Sequence, residues 1–144
     1  MEIKPGKVLA TLFHQGELIE IDKNTGKTKT LVSNLKSPHH IRYYRNRFIL
    51  SDTRNQRVLL LNKNYKIIKI LKGNYNWVQD AVLTCDGNII IADSNNARLV
   101  KIDISGKKLS EFKWDKKERK ISSLLTITEE AAINIFNLKH KLNI

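Results

Sequence analysis

The feature that most constrains the fold is an internal repeat with a period of about 40 residues. Residues 48–52 align with residues 89–93 at an offset of 41, and the same offset places Arg57 on Arg98. A weaker copy begins the chain at residues 18–22, which match the second repeat at an offset of 40. A period of this length, with four short apolar runs in each repeat, is typical of the blades of a β-propeller.

Turn residues separate the apolar runs. Asp86-Gly87 lies between two such runs and indicates a tight hairpin, because type I′ turns need positive φ. Asn24-Thr25-Gly26 and Ser105-Gly106 mark further turns. No window before residue 120 sustains the apolar spacing of a helix. We predict strands at 7–13, 17–22, 28–33, 39–44, 47–51, 57–62, 67–72, 78–84, 88–92, 98–103 and 108–113.

The pattern predicts an all-β fold, a partial β-propeller of about three four-stranded antiparallel blades; a β-sandwich or a solenoid is the alternative. The propeller domain covers residues 1–118, with blades at about 7–35, 38–73 and 77–114. In this scheme the first blade lacks its innermost strand, so strand 7–13 has an unpaired edge. Known propellers have four to eight blades, and three cannot close a ring without severe strain. We therefore expect either a piece of a longer propeller or closure by self-association.

Residues 119–144 differ from the repeats and form a C-terminal extension in the prediction. Residues 121–125 are a candidate for the missing inner strand of the first blade, either in the same chain or in a partner copy. A helix is predicted near 128–140, because Thr126-Ile127-Thr128-Glu129 has the spacing of a capping box. The alternation of apolar residues near the C-terminus also suits a strand.

Composition excludes several classes of protein. With 41% hydrophobic residues and 28% charged residues, the chain of 144 residues is typical of a soluble globular protein. Its apolar runs are far shorter than the roughly 20 residues that span a bilayer, so no membrane partner is predicted. The only cysteine, Cys85, cannot form an internal disulfide, and no His or Lys is adjacent to it in the sequence to activate the thiol. Residues 1–7 lack the apolar core of a signal peptide, so we expect a cytoplasmic protein.

Two segments resemble the Asp-x-x-Asn-x-Arg-Val core of NHL repeats: residues 52–58, Asp-Thr-Arg-Asn-Gln-Arg-Val, and residues 93–99, Asp-Ser-Asn-Asn-Ala-Arg-Leu. The third repeat, from Trp77 through Asp86-Gly87-Asn88, also resembles the blades of arylsulfotransferase-like propellers. The resemblance covers about residues 7–114 and implies a propeller of six or so blades. Because this fold hosts lyases, lactonases, transferases and binding platforms, the resemblance does not define an activity.

Four residues are candidates for the mouth of the central channel: His39, His40, Gln79 and Asp80. In peptide α-amidating lyases, which resemble NHL propellers, Pro-His at this blade position places histidines around a central zinc, and His39 matches it. A catalytic zinc usually needs three protein ligands, and the counterpart of His39 is Gln79, so no metal or other cofactor is predicted. Arylsulfotransferase-like blades carry His-Asp where this chain has Gln79 and Asp80. Asp80 is expected to be a turn or interblade hydrogen-bond acceptor, with a channel-mouth acid as the alternative.

Two acid–base pairs flank hairpin loops in the predicted blades, namely Asp52 with Arg57 and Asp93 with Arg98. Since both pairs follow the repeat spacing, we interpret them as partly exposed braces of the loops; a clamp for a charged ligand is the alternative. The two-sided apolar strand at 88–92 predicts that Ile90 is buried between stacked sheets.

Positive charge is concentrated in the second blade. Residues 38–76 carry nine Lys and Arg against one acid, whereas residues 77–115 carry five against six. Arginine next to aromatic residues, here Tyr43 and Tyr44, can contact phosphates and stack on bases. Some NHL propellers bind RNA on a basic face, so RNA or anion binding is one hypothesis; a solvated surface with arginines packed between blades is the other. The basic-patch candidates are Arg42, Arg45, Arg47, Arg54 and Arg57.

The sequence therefore favours a non-catalytic NHL-like propeller module, or a fragment of one, that binds a ligand, a protein partner or a second copy of itself. The reason is that the repeat scaffold is intact, whereas most of the histidines that related enzymes carry at the channel mouth are absent. A fragment or subunit of a lyase, lactonase or sulfotransferase, with His39 at the channel mouth, is the enzymatic alternative. RNA or anion binding through the second blade is the third hypothesis.

Overall fold

The computed structural model describes residues 1–114 and 121–124, and these form three four-stranded antiparallel sheets. The first sheet contains β1 (Glu2–Lys4), β2 (Lys7–Leu12), β3 (Glu17–Asp22) and β4 (Thr28–Val32). The middle sheet contains β5 (Pro38–Tyr44), β6 (Arg47–Asp52), β7 (Arg57–Asn62) and β8 (Ile67–Lys72). The third sheet contains β9 (Val78–Leu83), β10 (Ile89–Asp93), β11 (Arg98–Ile102) and β12 (Lys108–Lys113).

Within each sheet the strands pair in chain order, as they do in a propeller blade. All eleven strands predicted from the sequence form, and each observed end lies within one residue of its predicted position. Short 3₁₀ turns at Thr53–Asn55 and Ser94–Asn96 occupy the loops inside the two NHL-like segments. The all-β prediction of three four-stranded blades is confirmed. Among the described residues, no helix has the length and apolar character needed to cross a bilayer.

The first sheet supplies its own innermost strand, which the sequence analysis missed. β1 pairs with β2 through Glu2 opposite Val8, and the amino group of Met1 donates to the carbonyl of Leu9 at 2.8 Å. Three residues before a Pro-Gly turn are too few to show an alternating pattern, which is why this strand escaped prediction. The expectation that β2 has a wholly unpaired inner edge is therefore wrong.

The described residues of the C-terminal extension, 121–124, do not provide that strand. Residues 121–124 form no strand, and the backbone N–H of Leu124 instead donates to the carboxylate of Asp80 at 2.7 Å. The interpretation of residues 121–125 as an inner strand of the same chain's first blade is corrected for the four that are described. Leu125 and the helix predicted near 128–140 lie outside the described residues.

The middle sheet is buried on both faces, which explains its continuous apolar strands. One face packs against the third sheet in a cluster that includes Ile49 and Val58. The other face packs against the first sheet in a cluster that includes Leu50 and Leu59. Stacked sheets of this kind provide most of the apolar burial in the chain.

Ile90 lies in a middle strand of the third sheet but is not fully buried. Its cross-strand partners are Val82 and Lys101, so its side chain is on the face turned away from the middle sheet. Its neighbours Ile89 and Ile91 face the middle sheet and are fully buried. The predicted strand is correct and the predicted burial of Ile90 is wrong, because no described sheet packs against that face.

Asp93 has no exposed surface, and its carboxylate links two loops. One oxygen accepts hydrogen bonds from the backbone N–H groups of Asn76 and Trp77, at 2.8 and 3.2 Å. The other accepts from the side chains of Asn96, at 2.7 Å, and Arg98, at 2.8 Å. The loop that leads into β9 is thereby tied to the loop between β10 and β11.

Asp52 makes the equivalent contacts in the middle sheet. It is also fully buried, and it accepts from the backbone N–H of Lys36 at 2.7 Å, from Asn55 at 2.8 Å and from Arg57 at 2.6 Å. The expectation that Asp93 and Arg98 form a partly exposed pair is therefore corrected, since the carboxylate of Asp93 is buried like that of Asp52. A buried carboxylate must be paired and hydrogen-bonded, so these contacts are a requirement of the fold and not a surface feature.

Replacing Asp93 should destabilise the chain strongly. Asp93→Ala leaves the N–H groups of Asn76 and Trp77 without their acceptor, while Arg98 keeps its contacts with Glu111 and the carbonyl of Asn74. We expect the variant to lose about 3 kcal/mol of unfolding free energy in urea titrations. Asp103→Ala is the matched control, because Asp103 accepts several hydrogen bonds in an exposed turn. The loss of unfolding free energy in Asp103→Ala should be much smaller than in Asp93→Ala. Equal losses in the two variants would contradict the buried-brace interpretation.

Candidate functional site

A pocket of about 340 Å³ opens between the middle and third sheets, at the ends where their inner strands begin. His39, at the start of β5, forms one wall, and Trp77, immediately before β9, forms another. The remaining lining residues come from the β9 strand, the loop after β10 and the C-terminal extension: Gln79, Ser94, Asn95, Ile121 and Ser122.

The hydrogen bonds of His39 determine its tautomer. Its Nδ1 lies 3.1 Å from the carbonyl oxygen of Ser37 and 2.8 Å from the hydroxyl of Thr53. A carbonyl can only accept, and the Thr53 hydroxyl already donates to the carbonyl of Val78 at 2.7 Å. Nδ1 must therefore carry the proton. In the neutral ring Nε2 then carries a lone pair, and no described residue donates a hydrogen bond to it.

Aromatic rings enclose the imidazole. The rings of Phe13 and Trp77 both meet it edge to face, with centroid separations of 5.1 and 5.4 Å. Burial lowers the pKa of His39; the hydrogen bond to Ser37 opposes this shift, and the charge of His40 adds to it. Neutral imidazole is therefore favoured, and the side chain can act as a hydrogen-bond acceptor or a base through Nε2.

His40 and Gln79 join the two inner strands instead of facing one ligand together. His40 points away from His39, and its Nδ1 donates to the backbone carbonyl of Gln79 at 3.0 Å. The side-chain oxygen of Gln79 accepts from the indole N–H of Trp77 at 2.8 Å. Of this predicted pair, only Gln79 lines the pocket beside His39.

Asp80 is fully buried, and its carboxylate is surrounded by donors. Arg42 from β5 approaches to 2.6 Å, and the backbone N–H groups of Ala81 and Leu124 donate at 2.8 and 2.7 Å. The guanidinium of Arg42 also donates to the hydroxyl of Ser123 at 2.8 Å. Asp80 therefore links the middle sheet, the third sheet and the described part of the extension.

The structure does not bring the five basic-patch arginines together on one surface. Arg42 pairs with Asp80 and Arg57 with Asp52, so both guanidinium groups are committed to buried carboxylates. The other three arginines lie at opposite ends of the middle sheet. Arg45, which lies over the ring of Tyr44 at 5.1 Å, and Arg47 are at the end where β6 begins, whereas Arg54 is in the loop that follows β6.

Five of the pocket residues were not predicted as site residues from the sequence: Trp77, Ser94, Asn95, Ile121 and Ser122. The repeat contains a signal that could have found the loop residues among them. Ser94 occupies the repeat position of Thr53, so aligning the loops as well as the strands places it at the same end of the blade as His39. Among residues 1–114 and 121–124, no group of three or more His, Cys, Asp and Glu residues is placed to hold a metal ion.

No protein-family model matches the sequence, and no curated protein is similar enough to be a relative. Solved structures are similar in fold. A protein of unknown function from Bacteroides caccae has a TM-score of 0.73 and 20% identity over 85% of this chain and 51% of that one. Streptogramin B lyase has a TM-score of 0.68 and 14% sequence identity, and the match covers 83% of this chain and 41% of the lyase. A chain of the nidogen/laminin complex has a TM-score of 0.64 and 16% sequence identity, and the match covers 83% of this chain and 49% of that one.

These similarities show the propeller fold alone, because every identity is low. The chain spans about half or less of the length of each of these structures. Similarity to NHL repeats therefore stays a resemblance of residues 52–58 and 93–99, and activity has to be argued from the site.

The lowered pKa of His39 predicts a specific pH dependence of stability. An unfolded histidine has a pKa of about 6.5, so on acidification from about pH 7.5 to 5.5 the unfolded chain binds this proton more readily than the folded chain. The unfolding free energy from urea titrations should fall over that window, and less so in His39→Gln. The exposed His14, changed to Gln, is the control and should keep the wild-type slope. An unchanged slope in His39→Gln would contradict the prediction.

Proposed function

We propose that this chain is a non-catalytic propeller module whose role is association, and that its two end sheets bind further blades supplied by a second copy of the chain. One observation carries the proposal. The apolar residues that pack adjacent sheets together, which we call the internal seams, recur on the outward faces of the first and third sheets. We call the side of a sheet that faces the next sheet along the chain its forward face, and the opposite side its backward face.

The forward face of the third sheet repeats most of the apolar residues of a covered face, with Lys101 in the place of the buried Leu60. In the middle sheet, Ile49, Val58 and Leu71 are buried against the third sheet. The strand register places their counterparts, 41 residues later, on one face of the third sheet. No described sheet packs there, and Phe112 is 64% exposed. These counterparts are Ile90, Leu99 and Phe112.

The backward face of the first sheet repeats the other half of a seam. In the middle sheet, Leu50, Leu59 and Leu61 are buried against the first sheet. Their counterparts, 40 residues earlier, share one face of the first sheet, and no described sheet covers it. These counterparts are Ala10, Ile19 and Ile21. Ile19 is only 6% exposed and the other two are half-buried, so the face is apolar but offers little open area in the single chain.

A second copy is the occupant that suits both faces at once. Two-fold pairing puts the third sheet of each copy on the first sheet of the other. In both new contacts a forward face then packs on a backward face, as it does between adjacent sheets within one chain. Two copies contain six sheets, which is within the four to eight blades of closed propellers. The chain's span of 41 to 51% of the similar structures is in keeping with a half-propeller.

The polar groups near the channel support a role without catalysis. The carboxylate of Asp80 is saturated by donors, and His40 is engaged by the Gln79 carbonyl. Among the described residues, the pocket around His39 is therefore lined by no second acidic or basic side chain. Any acid–base chemistry there would rest on His39 alone.

The solution mass of the purified chain tests the proposal. We expect about twice the 16.7 kDa of one chain by light scattering, and a loss of the dimer in either Phe112→Glu or Ile21→Glu. Mixing the two variants should restore a dimer, because the intact third sheet of one meets the intact first sheet of the other. A wild-type monomer overturns the proposal, as does a failure of the mixture to associate.

The matched control for these variants is Ile68→Glu. Ile68 is 52% exposed on the outer strand of the middle sheet, away from both end faces. This variant should remain a dimer. Far-ultraviolet circular dichroism of each variant confirms that the sheets are formed, so a loss of association is not read from an unfolded chain.

A fragment or subunit of a propeller enzyme is the second candidate. The observation in its favour is the Nε2 lone pair of His39 in a pocket walled by Trp77, on a fold shared with streptogramin B lyase. Lyase, lactonase and sulfotransferase substrates should be screened with the wild-type chain. Turnover that is lost in His39→Ala and kept in His14→Ala supports the enzyme, and a blank screen supports the association module.

A further inference from the structure

A second cavity, of about 540 Å³, lies between the first and middle sheets. It is at the opposite end of β5 from the His39 pocket, since Tyr43 near the end of that strand lines it. We call it the lysine–aromatic cleft, and define it by Lys4, Lys29, Lys63, Tyr43, Phe48 and Tyr65. Its volume is within the range of about 300–1,000 Å³ that is usual for small-molecule sites.

Three aromatic rings form one wall of the cleft. The ring centroids of Tyr43 and Phe48 are 4.8 Å apart, and those of Phe48 and Tyr65 are 5.0 Å apart. Phe48 is buried, whereas Tyr43 is 49% exposed and presents its ring at the open end of the series. The Tyr43 hydroxyl donates to the side-chain oxygen of Asn46 at 2.9 Å, which helps to hold the ring in place.

The charges in the cleft are unbalanced. Its two carboxylates pair with lysines that do not line it, Glu2 with Lys23 at 2.7 Å and Glu20 with Lys7 at 3.6 Å. The lysines that line the cleft form no ion pair. Within residues 1–114 and 121–124, no carboxylate lies within ion-pair distance of any of them, and this includes Glu20, which is opposite Lys29 in the strand register. The lysines without an ion pair are Lys4, Lys29 and Lys63.

We propose that the lysine–aromatic cleft binds a nucleotide, with its phosphates against the lysines and its base stacked on Tyr43. Ammonium groups attract phosphate as point charges, and an exposed aromatic ring stacks on a base of any sequence. The aromatic wall is what favours a nucleotide over an inorganic anion. The site lies within a single chain, so it does not depend on the proposed dimer.

Binding of ATP tests the proposal, with inorganic tripolyphosphate as the probe that has similar charge but no ring. By isothermal titration calorimetry at about 50 mM salt, ATP should bind at least about tenfold more tightly than tripolyphosphate. Binding should weaken when the salt is raised to about 200 mM, since charged contacts in an open cleft are screened. Equal affinity for the two probes, or no binding of ATP at millimolar concentration, overturns the proposal.

Substitutions separate the two parts of the site. Tyr43→Ala should weaken ATP about tenfold and leave tripolyphosphate unchanged, because only the stacked ring is lost. Lys29→Ala with Lys63→Ala should weaken both probes. The control is Lys72→Ala with Lys107→Ala, which removes two exposed lysines outside the cleft and should weaken neither. ATP binding that is unaffected by Tyr43→Ala contradicts the assignment.

The nucleotide can be free or part of an RNA strand, and a further titration distinguishes these sources. A single-stranded decaribonucleotide is compared with ATP on the wild-type chain and on Tyr43→Ala. Tighter binding of the oligonucleotide, with the same dependence on Tyr43, identifies an RNA strand as the source. Affinity no greater than that of ATP identifies the free nucleotide. An oligonucleotide affinity that is high and independent of Tyr43 places RNA elsewhere on the chain and contradicts a shared site.

Discussion

The structure depends on two buried carboxylates, Asp52 and Asp93. A carboxylate without exposed surface is stable only when donors surround it. Each of these two accepts from an arginine and an asparagine of its own hairpin loop, and from the backbone of the loop that precedes its sheet: one N–H group at Asp52 and two at Asp93. The consequence extends to the pocket. Thr53, next to Asp52, contacts both His39 and the carbonyl of Val78, and Trp77 is held through its N–H by Asp93.

The stacking of sheets determines the rest of the architecture. The middle sheet has a neighbour on each face, and the two end sheets have an apolar face against which no described sheet packs. The two cavities follow from this arrangement, because each is lined by residues of adjacent sheets, one at each end of β5. One cavity is neutral and centred on an imidazole, and the other carries unpaired positive charge beside aromatic rings. They are suited to different ligands.

Strand positions could be predicted from the sequence because alternating or continuous apolar runs and turn residues are local signals. The errors have physical reasons. β1 is three residues long and therefore too short for a pattern. Ile90 has the composition of a buried strand residue, but burial depends on whether another sheet covers that face. Asp93 looked like half of an exposed pair, since the spacing of an acid and an arginine does not reveal that two backbone N–H groups from another loop reach the same oxygen.

The sequence by itself determined the repeat, the strand order within each blade, the turns and the acid–arginine pairs, because each is encoded within about 40 consecutive residues. It also singled out His39, through a resemblance at one blade position. Only the tertiary structure decided which nitrogen of His39 carries the proton, since that depends on Thr53 in a loop of the middle sheet and on Val78 in β9 of the third sheet. The lysine–aromatic cleft was likewise decided by the fold. Its residues come from both sheets, and only the stacking of one sheet on another brings their charges and rings together.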